Sequence, residues 1–378
     1  MNFELNDEQR QIRDTIRDVA QSEFAPRAHE IDETSRFPQE NVDRLAELGF
    51  MGLPIPEAYG GAGADTVCYA ITVEELAAAC GSTALIYAAH VSLGASPFYL
   101  FGTEAQKHKH LPRLCSGGLG AFGLTEPHTG SDASNTKTVA EKRDGGWVLN
   151  GQKMWITNGA LADTVICTAR AVVDGVDRGV SCFVVERGMA GFTPGKNEPK
   201  MGLKGSVTSQ LFLEDCFVPD ENLLGEVGRG MRQMLTILDG GRISIGAMAL
   251  GLGRAALEAA ARYAHEREAF GRAIAGFQAV QWKLADCATQ LDAARLLLYE
   301  AAALKDQGRR FTKEAAMAKL FASEAAEKAC FESIQIHGGM GYSRELPVER
   351  YYRDNRLTEI GEGTSEILRH VIAREVLR

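Results

Sequence analysis

No Cys-x-x-Cys pair occurs in this sequence, and its eight cysteines (Cys68, Cys80, Cys115, Cys167, Cys182, Cys216, Cys287 and Cys330) stand apart from any histidine at zinc-ligand spacing. A zinc finger or ribbon is thereby excluded, no metal site is expected, and each cysteine should be a reduced, buried thiol packing as a small hydrophobe. Apolar runs of bilayer-spanning length are also missing, and the opening MNFELNDEQRQIRD lacks an uninterrupted apolar stretch. The expectation is a cytoplasmic protein without a membrane segment. Basic clusters are missing too: 41 Lys and Arg face 50 Asp and Glu, dispersed among one another, for a net charge of -9. That balance argues against a nucleic-acid partner. Low-complexity tracts and repeats of solenoid length are absent as well.

What is present is a chain of 378 residues with 45% hydrophobic content, enough for two or three domains around substantial cores. Residues 6 to 24 open with Asn6 and Gln9 placed as a capping box, followed by Ile12, Ile16, Val19 and Ala20 at helical spacing. Further helical patterns lie near 38–49, 66–80, 83–101 and 103–116, with the loop PIPEAYGGAGA at 54–64. From about residue 119 the pattern turns to short β-rich runs, and Asn150-Gly151 carries the strongest local hairpin signal. After residue 225 the chain becomes rich in Ala, Leu and Arg. Long helices are predicted near 229–267, 276–307, 312–336 and 364–377, with Thr312 capping the third and Gly338-Gly339 ending it. The fold class predicted is α+β, mainly α: an N-terminal helical domain (1–118), a middle antiparallel β domain (119–225) and a C-terminal four-helix bundle (226–378). Strands and helices segregate, which disfavours a doubly wound parallel sheet.

Few segments look chemical. Gly251-Leu-Gly253-Arg-Ala-Ala256 superficially fits a dinucleotide fingerprint, but it sits within a helical run with no strand before it, so close helix packing is the better reading. No Walker loop occurs. Glu362, in IGEGTSEI, is a carboxylate between two glycines, open to close approach by a flat ligand and suited to a general base. Taken alone, the alternative reads better: a carboxylate near a helix N-terminus capped by Thr364 or Ser365. The loop FGLTEPHTGSD (122–132), the strand end MWITNG (154–159) and the glycine cluster QIHGGMGY (335–342) could each be turn chemistry or ligand contact.

In order along nearly the whole chain, eight segments resemble the acyl-CoA dehydrogenase family of flavoproteins: GFMGLPIPEAYGGAGA, FGTEAQKHKHLPRLCSG, FGLTEPHTGSD, NGQKMWITNG, DGGR, REAFGR, QIHGGMGY and YYRDNRLTEIGEGTSEI. The resemblance implies FAD as cofactor. It assigns flavin contacts to Phe122, Leu124, Thr125, Gly130 and Ser131 and to the strand Trp155, Ile156 and Thr157, with Ser131 also touching the CoA side. Arg267, Phe270 and Gln278 would reach the FAD of a neighbouring subunit, and Gln335, Gly338 and Gly339 its pyrophosphate and adenosine. Thr364 and Glu366 look like further FAD contacts. Asp239 and Arg242 would bind CoA, Gly363 would line the substrate, and Glu362 occupies the position of the catalytic base.

The function implied is α,β-dehydrogenation of an acyl-CoA to the trans-2-enoyl-CoA, in fatty-acid or branched-chain amino-acid catabolism. Relatives pass their electrons to electron-transferring flavoprotein and are mostly homotetramers, dimers of dimers. In some relatives the base comes from the helix at the position matching Gly241, which glycine cannot supply. Two other functions share the fold: a flavin oxidase using molecular oxygen, and a non-catalytic flavin-bearing binding protein. Gly361 stands where many relatives carry a bulky residue, often tyrosine, and His128 where small residues are common. The acyl group is expected to be short to medium and could be branched, with Tyr87, His90 and Ser92 as candidate pocket residues.

Overall fold

The computed structural model describes residues 4–378. The chain begins in helix α1 (Asp7–Val19), started by the predicted capping box: Asn6 accepts from the Gln9 N–H while the Gln9 side chain accepts from the Asn6 N–H. Helices α2 (Ala28–Thr34), α3 (Gln39–Glu47), α4 (Thr66–Ala79), α5 (Gly81–Ala89), α6 (Ser96–Phe101) and α7 (Glu104–Cys115) follow. Asp65 caps α4, accepting from the Cys68 N–H at 2.7 Å. Every residue of α4 and of α5 is buried. Such helices have no polar stripe to show water, so they belong at the centre of the molecule.

Eight strands build one sheet: β1 (Gly120–Gly123), β2 (Val139–Arg143), β3 (Gly146–Thr157), β4 (Thr164–Val173), β5 (Val176–Glu186), β6 (Phe192–Asn197), β7 (Thr208–Pro219) and β8 (Leu223–Leu224), in the order β6-β7-β3-β2-β4-β5-β8. The sheet is mixed, not antiparallel throughout as predicted. β1 and β2 both run parallel to β4, end to end along its one edge: Gly120–Gly123 face Thr164–Cys167, and Val139–Glu141 face Arg170–Val172. They act as one strand position interrupted by residues 124–138. The interruption puts the loop of residues 124–138 outside the sheet.

Asn150-Gly151 is not a turn. It lies inside β3 at a bulge, and the hairpin between β2 and β3 turns instead at Asp144-Gly145. Pairing of both halves of β3 with β7 overrides the local signal, and Asn150 bridges across the bulge, its amide donating to Asp215 Oδ1 at 3.0 Å.

The C-terminal region contains α8 (Gly230–Glu266), a small hairpin β9 (Glu268–Ala269) and β10 (Arg272–Ala273), α9 (Gln278–Asp306), α10 (Thr312–His337), α11 (Gly339–Tyr342), α12 (Val348–Asn355) and α13 (Ser365–Val376). Helices α8, α9, α10 and α13 are the four predicted bundle helices. Residues of α1, α4, α5, α8, α9 and α10 share one hydrophobic core. Thr312 does not cap α10: it is the first helical residue, after Phe311, and its hydroxyl donates instead to Asp239 Oδ2 at 2.6 Å. Gly251 and Gly253 are packing glycines as read. A Cβ on Gly251 would come 2.2 Å from the Glu74 carbonyl oxygen, and one on Gly253 3.0 Å from the Ala326 Cα.

Two helical stretches, Gly81–Phe101 and Gly230–Glu266, are long and apolar enough to cross a membrane, contrary to the reading that no run approaches that length. Both are 72% buried inside the protein over their most apolar windows, so packing against α4 and other elements accounts for their composition. All eight cysteines are free and buried.

Candidate active site

The turn between α12 and α13 presents Glu362 to the long helix α8. A Cβ built on Gly241 would lie 1.7 Å from Glu362 Oε2, so the carboxylate rests against the bare backbone of that glycine. Oε2 is buried and has no hydrogen-bond partner. Burial pushes the Glu362 carboxyl up to about 7, an effect that Lys319 and Arg242 partly offset. Its backbone sits in the left-handed region at φ 54° and is followed by Gly363 at φ 104°, a strained pair for a non-glycine residue. Beyond the turn, Thr364 caps α13, accepting from the Ile367 N–H, Glu366 is exposed, and Ser365 Oγ is buried without a partner.

Around this carboxylate lie two groups the sequence reading missed, Lys319 and Tyr69, and one it named, Arg242. Lys319 is fully buried in α10 and donates to the Gly363 carbonyl at 2.7 Å. Tyr69 of α4 is buried, donates to the Ala88 carbonyl at 3.0 Å, and senses the charge of Glu362, with the Ser92 and Ser244 hydroxyls beside its own. Arg242, 4% exposed, pairs with Asp239 at 2.5 Å, while its Nε has no partner. Asp239 is thus not a solvated helix carboxylate: it holds Arg242 and Thr312. The only available signal for Lys319 was its helical spacing from Ala316, Ala322 and Ala326, all buried. Burial lowers its ammonium to about 8.

The loop after β1 and the bulged end of β3 come together. Phe122 is buried, Leu124 and Thr125 are half-buried, and Gly130 and Ser131 are exposed. The Met154 N–H donates to the Thr125 carbonyl at 2.8 Å. Beneath them Glu126 and Lys153 form a buried ion pair at 2.7 Å, and Glu126 also accepts from Thr138 Oγ1 and from the Lys137 and Thr138 N–H groups. His128 Nε2 lies 3.3 Å from Glu126. A second bulge in β3 leaves Trp155 at φ 60° and 51% exposed, with Thr157 half-buried at the strand end. Ile156 is only 3% exposed, its side chain packed in the core of the sheet.

Arg267, Phe270 and Gln278 share the far end of the bundle with Gln335, Gly338 and Gly339, where the Tyr263 and His337 rings stack at 4.3 Å. All six are exposed, Phe270 by 96%. Sixteen residues of α10 separate Gln335 from Lys319, about 24 Å of helix. Within one chain, then, this cluster lies far from Glu362.

Three stretches of the sequence match acyl-CoA dehydrogenase domains: the N-terminal domain over residues 6–118, the middle domain over 121–216 and the C-terminal domain over 228–377. The chain belongs to the acyl-CoA dehydrogenase family. A probable acyl-CoA dehydrogenase of Bacillus subtilis, YngJ, is 53% identical, with all of each chain covered. Among solved structures, butyryl-CoA dehydrogenase from Megasphaera elsdenii superimposes with a TM-score of 0.97 at 44% identity over all of each chain. An acyl-CoA dehydrogenase from Bacillus anthracis complexed with FAD does so with a TM-score of 0.92 at 38% identity, over 99% of this chain and 68% of that one.

This acyl-CoA dehydrogenase is a flavoenzyme whose cofactor is FAD. The residues present fit that cofactor. The uncovered indole of Trp155 offers a plane for a ring, and a Cβ on Gly130, Gly338 or Gly339 would meet nothing within 4 Å, leaving backbone open to phosphate or ring edges. The orphaned Oε2 of Glu362 and Oγ of Ser365 mark polar atoms awaiting partners.

Proposed function

We propose that this dehydrogenase desaturates a short acyl-CoA to the trans-2-enoyl-CoA with Glu362 as the base. The observation that carries the reading is the Glu362 carboxylate: buried, unpartnered at Oε2 and raised to about 7. An unpartnered buried oxygen is costly unless a ligand uses it, and a base poised near the working pH transfers protons efficiently. Bound FAD supplies the hydride acceptor for the β-carbon. Glu362 removes the α-proton from the opposite face. Its own N–H, which has no backbone partner among the described residues, is free to donate to the thioester carbonyl as negative charge develops there. The acyl chain completes the site by excluding water, which keeps the carboxyl in its raised range.

The contacts assigned to Phe122, Leu124, Thr125, Gly130, Ser131, Trp155, Ile156, Thr157, Thr364 and Glu366 are taken as those of the flavin of the same chain. Arg267, Phe270, Gln278, Gln335, Gly338 and Gly339 are taken as contacts to the FAD of a neighbour, which suits their exposure and their distance from Glu362. A homotetramer in the cytoplasm, with electron-transferring flavoprotein as acceptor, completes the reading. Asp239, Arg242 and Gly363 are assigned to CoA and substrate; the burial of Arg242 makes its part an indirect one. A short acyl group is favoured by the bulk of Tyr69, buried beside Glu362 and backed by the Tyr87 ring, and by the likeness to butyryl-CoA dehydrogenase.

Anaerobic addition of a panel of acyl-CoA thioesters tests this directly. Flavin bleaching is expected with short chains, and Glu362→Gln should retain FAD and lose bleaching. No bleaching with any thioester overturns the reading. Turnover with oxygen as fast as with the flavoprotein acceptor overturns the choice of acceptor alone.

A further inference from the structure

Lys319 is the buried charge that this mechanism leaves unused. It stands on α10 among Ala315, Ala316, Ala318 and Ala322, all fully buried, with 0% of its own surface exposed. Its ammonium has no carboxylate within ion-pair range among the described residues; its bond is to the Gly363 carbonyl at 2.7 Å. A buried ammonium held by a carbonyl costs free energy that a methionine of similar length would avoid, so packing alone does not explain it. Its backbone packs closely on α8, where a Cβ on Gly246 would lie 3.4 Å from the Lys319 Cα.

The carbonyl it holds belongs to the strained turn. Glu362 and Gly363 are consecutive left-handed residues, and such a conformation persists only where the surroundings hold it. The groups facing the Glu362 carboxylate are Lys319 from α10, Arg242 from α8 and the Tyr69 phenol from α4. Lys319 in turn faces Glu362, Arg242, Glu359 and Glu366. Arg242 is already committed to Asp239, which leaves Lys319 as the cation without a carboxylate of its own.

We propose that Lys319 is a positioning residue for the dehydrogenation: it pins the Gly363 carbonyl, and with it the turn that aims Glu362, and its buried positive charge supports the ionised form of that base. The proposal rests on Glu362 being the base. Its ammonium touches no reacting atom; it acts through the turn and through charge.

The test uses FAD-loaded enzyme, butyryl-CoA under anaerobic rapid mixing, and the rate of flavin bleaching from about pH 6 to about pH 9. Lys319→Met is expected to keep FAD, to slow bleaching at neutral pH about 10- to 100-fold, and to move the rising limb of the pH profile upward by about one unit. Lys319→Arg should restore the limb toward its parental position. Lys319→Gln, which keeps a donor for the Gly363 carbonyl without the charge, should move the limb as the methionine does while losing less rate. It also serves if the methionine variant does not fold. Should both neutral variants keep the parental midpoint, Lys319 is merely structural and the proposal is wrong. Glu362→Gln run alongside separates the two ideas: bleaching in that variant defeats the base assignment, whereas an inert Glu362→Gln with an unmoved Lys319→Met and Lys319→Gln midpoint defeats only the role of Lys319.

Discussion

Two glutamates with enclosed carboxylates, the buried Glu126 and the half-buried Glu362, each lie near a buried lysine and behave in opposite ways. Glu126 accepts from Lys153, Thr138 and the Lys137 N–H, and although burial pushes it up, those partners outweigh burial and hold it below its ordinary range. Glu362 has an orphan oxygen and a lysine that bonds elsewhere, and it is raised to about 7. Burial is common to both; satisfaction is not. A saturated carboxylate fixes structure, here the join between the loop after β1 and strand β3, whereas an unsaturated one is kept ready for a proton.

The comparison can be broken most decisively at the chemistry. Glu362→Gln should slow flavin reduction by at least about 10³-fold in stopped-flow measurements with FAD content unchanged, the scale expected for losing a general base. Glu126→Gln leaves Lys153 buried without its counter-charge and should cost about 3–5 kcal/mol in urea unfolding. If that variant unfolds like the parent, the structural half of the contrast fails.

The two sites also predict opposite responses to pH. Glu362 is raised, so the native state holds an extra proton between about 4.5 and about 7 and stability falls as pH rises through that window. Glu126 is lowered, so its contribution is present above the ordinary carboxylate range and is lost as pH falls. Glu362→Gln should therefore be more stable than the parent at pH 8, by about 2–3 kcal/mol, with the gap closing towards acid. In the parent, the bleaching rate should climb with pH through about 7. A flat profile there means that the base titrates elsewhere. Smallest is Asp65→Ala, which removes the α4 cap and should cost about 1 kcal/mol in thermal unfolding with little change in rate at saturating thioester.

Much of this contrast escapes a single sequence. The long helices were legible because 3.6-residue periodicity and end signals agree, as at Gly338 after α10, and Glu362 was legible through its glycines and its family setting. Lys319 was not. One of three lysines in an alanine-rich helix looks solvated until packing shows which side it faces, and for the same reason the sequence did not show that Asp239 and Arg242, one turn apart, pair inside the protein. Asn150-Gly151 misled because its turn preference is local, while the pairing of β3 with β7 is set by residues some sixty positions away. The interrupted edge of β4 was invisible since no local pattern says that two separate runs share one partner.

Gly241 sets a limit on substitution. A side chain at 241 would take the space in which the Glu362 carboxylate rests and turn that carboxylate aside. The two positions compete for one space. A substitution at 241 alone therefore disturbs the aim of Glu362 before it can supply chemistry of its own, so Gly241 constrains change at the site without touching a ligand.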